Sequence, residues 1–61
     1  MNEMFDFYYD PNRKTEKVTL VTINGRIYRY SEMVKQGNTP ISSKAKFIGT
    51  ASINNVSIQN M

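Results

Sequence analysis

Apolar and polar positions nearly alternate at the start of the chain. In "MFDFYYD" (4–10), Phe5, Phe7 and Tyr9 fall on one side of an extended backbone. Met4, Asp6, Tyr8 and Asp10 fall on the other. A period of two with aromatic residues predicts a strand. Phe5, Phe7 and Tyr9 are expected to fill the core, with an exposed edge strand as the competing arrangement. "DPNRKTE" (10–16) has no apolar residue, and Pro11, Asp10 and Asn12 suit a turn or loop.

"KVTLVTI" (17–23) is rich in β-branched residues and lacks helical periodicity, which predicts a second strand. Asn24-Gly25 follows. Both central residues of a type I′ turn need positive φ, so this dipeptide predicts a tight hairpin with "RIYRY" (26–30) as the returning strand. A two-residue turn sets the register. Ile23 then faces Arg26, Val21 faces Tyr28 and Thr19 faces Tyr30. Val18, Leu20, Thr22, Ile27 and Arg29 share the opposite side. The side with Val18, Leu20 and Ile27 is the expected core, because it has no ring hydroxyl to satisfy. That leaves Tyr28 and Arg26 nearer the surface. Neither side is polar, and a sheet with two apolar faces needs both covered. In so short a chain a second subunit is the expected cover, so a homo-oligomer is expected.

"SEMVKQGN" (31–38) fits one short helical turn at 31–36, with Ser31 as N-cap and Gly37 at the left-handed C-terminal position. "KAKFIGTASINNVSIQ" (44–59) fits a second hairpin turning at Asn54-Asn55, with Ile53 opposite Val56 and Ala51 opposite Ile58. Gly49 suits a bulge or bend. The expected fold is mainly β: one domain over 1–61, a small antiparallel sheet or barrel of four to five short strands built from two hairpins. A small α+β arrangement is the alternative. Long helical crossovers are missing, which excludes a parallel sheet.

Size sharpens this picture. A domain of 61 residues buries only about 60% of its unfolded surface and needs a staple, very good packing or a partner. The chain has no Cys and no His, so disulfides, thiolate sites and imidazole ligands are excluded. No cofactor and no metal is expected. No apolar run approaches the roughly 20 residues of a membrane span. The acidic start has the wrong charge for a signal peptide, and a cytoplasmic protein is expected. "NVS" (55–57) is then a chance match to a glycosylation pattern. Asn, Lys and Ile make up 18 of 61 residues. Their A/T-rich codons point to a low-GC bacterium or its phage, and in the phage case to the host cytoplasm.

Charge is uneven. Residues 1–11 carry three acids and no base; residues 12–35 carry six bases and two acids; Lys44 and Lys46 complete the net +3. A basic middle attracts nucleic acid or an acidic protein, or keeps a small domain soluble. Without His or Cys the usual general base and soft nucleophile are missing, and the three isolated glycines build no phosphate loop. An enzyme is not expected. The expected function is a non-catalytic binding protein, a phage or mobile-element regulator or inhibitor that binds a host protein through Tyr8, Arg26, Tyr28 and Tyr30. The alternative is a small single-stranded nucleic-acid-binding protein. It would use Arg26, Tyr28, Arg29, Tyr30, Lys44 and Lys46, with Phe47 as a further ring between bases and aliphatics.

Overall fold

Aromatic and β-branched residues at alternate positions form six strands in the computed structural model, which describes residues 3–13 and 17–60. They are β1 (Met4–Tyr9), β2 (Thr19–Ile23), β3 (Arg26–Tyr30), β4 (Glu32–Lys35), β5 (Lys46–Ser52) and β6 (Ser57–Asn60). All pairings are antiparallel and make two three-stranded sheets, ordered β4-β1-β5 and β3-β2-β6. The sheets do not close into a barrel. No helix among the described residues is long and apolar enough to cross a membrane.

The 24–25 hairpin forms in the expected register, with Ile23 opposite Arg26, Val21 opposite Tyr28 and Thr19 opposite Tyr30. Asn24 has φ 52° and Gly25 φ 80°, the two positive values a type I′ turn requires.

Its facing is the reverse of expectation. Val21 is fully buried and Ile23 nearly so, while Ile27 is 69% exposed. Tyr28 and Tyr30 pack against the core of Phe7, Val21, Ile23 and Ala51. The Tyr30 ring meets Phe7 edge-on, with centroids 5.4 Å apart at 88°. Burial pushes the Tyr30 phenol pKa up. A half-buried tyrosine satisfies its hydroxyl at the rim while its ring fills the gap between sheets, so the hydroxyl does not exclude it from the core. The aliphatic side of the hairpin faces outward.

Residues 31–36 form no helical turn. Glu32–Lys35 is a strand paired with β1, with Tyr8 opposite Glu32 and Phe7 opposite Met33. One and a half helical turns cannot stand alone, whereas the ladder satisfies the backbone of both segments. β1 is thus the central strand of its sheet, which removes the edge-strand arrangement. Gly37 does take positive φ, 92°, but in a β-turn closed by the Asn38 N–H donating to the Lys35 carbonyl. Ser31 caps no helix. It is the one-residue corner where the chain leaves the β3 sheet for the β1 sheet. Its N–H donates to the Tyr8 carbonyl (2.8 Å), and its hydroxyl accepts from the Asp10 N–H (3.0 Å).

The second expected hairpin is also absent. Ser52 Oγ accepts from the Asn54 N–H and starts a 3-10 turn over Ile53–Asn55. Neither asparagine has positive φ. β5 therefore stays beside β1, and β6 crosses to pair with β2. The register between β1 and β5 shifts after Phe7, next to Gly49, where a bulge was expected.

Candidate nucleic-acid interface

The site grows from the C-terminal end of β1. Tyr8 and Tyr9 lie there opposite Phe47 and Lys46 of β5. Cross-strand partners share a face, so Tyr8 and Phe47 project to one side of the sheet and Tyr9 and Lys46 to the other. The Tyr8 and Phe47 rings meet edge-to-face, 5.6 Å apart at 65°. Phe47 is 59% exposed. On the Tyr9 side, the Arg29 guanidinium sits 5.7 Å from the ring centroid, a cation–π contact.

The 36–45 loop adds Lys44. The buried Glu32 carboxylate accepts from the Ile41 N–H (2.7 Å) and the Ser42 N–H (3.3 Å), which anchors the loop. The Ser42 hydroxyl then accepts from the Lys44 N–H (3.2 Å). Arg13 is held at the same corner, its Nη1 donating to the Ser31 carbonyl at 3.4 Å.

The acids of this region are already engaged. Asp10 is buried beside these groups and accepts from the Asn12 N–H at 2.9 Å. Its carboxyl lies below the usual carboxylate range. The Ser42 hydroxyl is the main cause and the Asn12 N–H the next, with Lys44 and Arg13 adding favourable charge against the opposing effect of burial. Glu32 serves the loop. Asp6 accepts from the Thr50 hydroxyl at 2.6 Å. Glu3 pairs with Lys35 (3.7 Å), at the other end of β1. Among the described residues, no carboxylate lies within ion-pairing distance of Arg13, Arg29, Lys44 or Lys46. Four cations, Arg13, Arg29, Lys44 and Lys46, therefore stand at one end of β1, with the Asp10 carboxylate among them.

The sequence-predicted residues divide three ways. Tyr8, Arg29, Lys44 and Lys46 gather at this end. Tyr28 and Tyr30 turn inward, against the core. Arg26 is exposed at the hairpin tip, about 13 Å along β3 from Tyr30 at the usual rise per residue. Sequence reasoning gave no site role to Tyr9, placed on the core face, or to Arg13, placed in a turn. The signal for Tyr9 was its neighbour Tyr8: adjacent rings on one strand end always offer one ring to each side. Among the described residues the surface has no pocket. This end presents one exposed ring, Phe47, and the exposed cations Arg13, Arg29, Lys44 and Lys46. The chain matches no known protein family, no curated protein and no solved structure.

Proposed function

We propose that this protein is a non-catalytic nucleic-acid-binding protein that works through the C-terminal end of β1. The observation that carries the reading is the gathering of Arg13, Arg29, Lys44 and Lys46 around Tyr9 and Asp10, four cations that outnumber the neighbouring carboxylates of Asp10 and Glu32. Such a cluster suits a phosphate backbone, where release of counterions drives association and makes it salt-dependent. Binding to a labelled oligonucleotide, followed by fluorescence polarisation across a salt series, tests it. Wild-type affinity should fall steeply with salt. Arg29→Ala with Lys46→Ala should flatten the log–log slope by about 1.4, at about 0.7 per lost phosphate contact on a single strand. Arg26→Ala, at the hairpin tip, should change it least. No salt-dependent binding at low salt would overturn the reading.

A second reading keeps the regulator or inhibitor of a host protein, with self-association. The outward hairpin face favours it: Ile27, opposite Thr22 and beside Leu20, is largely exposed on an uncovered sheet surface. Sedimentation at micromolar concentration should then show a dimer or larger species that Ile27→Asp disperses. A monomer under these conditions would rule out the self-associating form.

A further inference from the structure

We infer that β6 is an interface strand: it pairs antiparallel with β6 of a second copy of this chain and joins two β3-β2-β6 sheets into one. This surface is separate from the cluster of cations and does not rest on the nucleic-acid reading. β6 is an edge of its sheet, and all four of its residues are exposed. Its ladder with β2 occupies one side of its backbone. In an antiparallel ladder, alternate residues of an edge strand turn their N–H and C=O groups away from the neighbour. Among the described residues, no turn or loop bonds to the backbone of Ser57–Asn60.

The other three edges carry features that discourage strand pairing. β3 holds Arg26 and Arg29, and β4 ends in Lys35. β5 begins at Lys46, and its register with β1 shifts beside Gly49. Charged side chains and bulges protect an edge. The "SIQN" of β6 has no charge, no proline and an even register with β2.

The strand also fits itself. A two-fold axis perpendicular to the sheet keeps each face on its own side, so paired residues come from the same face. Centred on Ile58, the axis sets Ile58 against its counterpart and Ser57 against Gln59 of the second copy. Ile58 lies opposite the buried Val21, on the core side, yet is 39% exposed. Its counterpart covers it and continues the core across the axis. Ser57 and Gln59 then offer hydroxyl and amide to each other on the solvent side. A foreign strand would have to supply both patterns, whereas a copy supplies them by identity. The core itself calls for a partner: its buried apolar residues are Phe7, Val21, Ile23 and Ala51, a small set for a lone domain of 61 residues.

Sedimentation from micromolar to millimolar concentration tests the pairing. A strand this short makes a small interface, so wild type should pass from monomer to dimer across that range. Ser57→Lys with Gln59→Lys puts like charges opposite each other on the solvent side. It should weaken the dimer by about 2- to 30-fold, with the micromolar melting temperature preserved. Ser57→Glu with Gln59→Glu should do the same. Mixed in equal amounts, the two double variants should recover the dimer, and Ile27→Asp should leave the wild-type dimer intact. A wild-type monomer throughout, or no recovery on mixing, would overturn the pairing while leaving the nucleic-acid reading untouched. Dispersal by Ile27→Asp but not by the double lysine variant would move self-association to the outer hairpin face and overturn it as well.

Discussion

Two regions of this chain follow the same plan of strand, asparagine-containing turn, strand, and they fold differently. Thr19–Tyr30 turns at Asn24-Gly25 and returns within one sheet. Lys46–Asn60 turns over Ile53–Asn55, and its two strands join different sheets. Glycine makes the difference. Asn24 and Gly25 both take positive φ, which matches the right-handed twist of the flanking strands and folds them onto each other. Asn54 and Asn55 stay at negative φ in a 3-10 turn capped by Ser52, so the chain advances instead of reversing. A tight reversal is a local event with a local cause. A change of sheet needs a partner waiting on the other side, here the free edge of β2.

Five substitutions bear on that contrast. The largest effect is expected at Tyr30, whose ring ties the first region to Phe7. Tyr30→Ala should destabilise by about 2–4 kcal/mol, near the lower part of the range for truncating a core aromatic because the ring is only partly buried. Ile27→Ala, on the outer side of the same hairpin, should stay within about 0.5 kcal/mol. Chemical denaturation of both variants reads the two faces directly; a larger loss for Ile27 would mean that the hairpin faces the other way. Gly25→Val comes next, at about 1–3 kcal/mol, because a β-branched residue resists positive φ. An unchanged melting temperature would remove the type I′ turn.

The second region is probed by smaller changes. Ser52→Ala removes the hydroxyl that accepts from the Asn54 N–H and should lose about 0.5–2 kcal/mol, the usual worth of an N-terminal cap. Asn55→Gly carries the sharpest sign test. In a 3-10 turn at negative φ it adds unfolded-state freedom and should cost about 0.5–1 kcal/mol. In a type I′ hairpin the same change would supply the favoured Asn-Gly pair and stabilise. A raised melting temperature would place both regions in one class.

The candidate site shows where sequence reading stops. Lys44, Lys46 and Arg29 were recognisable as basic residues interleaved with rings. Their convergence on Tyr9 depends on β1 pairing with β5, a contact between residues nearly forty positions apart. Tyr28 and Tyr30 looked equally suited to binding, since a tyrosine beside an arginine has the same local pattern whether it faces solvent or core. The 32–35 strand was hidden for a related reason: four residues with a plausible cap carry too little pattern to separate a helical turn from a strand, and the missing edge of β1 settles it.

By itself, the sequence determined what depends on neighbours along the chain: extended backbone in Met4–Tyr9 and Thr19–Tyr30, the reversal at Asn24-Gly25 and the register of that hairpin. A register follows from turn length and positive φ alone, without reference to anything distant. Which side of the hairpin turned inward was left to the tertiary structure, because both sides carry apolar residues and local energetics do not separate them. The opposing sheet decided it. Val21, Ile23 and the two tyrosine rings pack with Phe7 and Ala51, and Tyr30 gains an edge-to-face contact with Phe7 that Ile27 and Leu20 cannot supply.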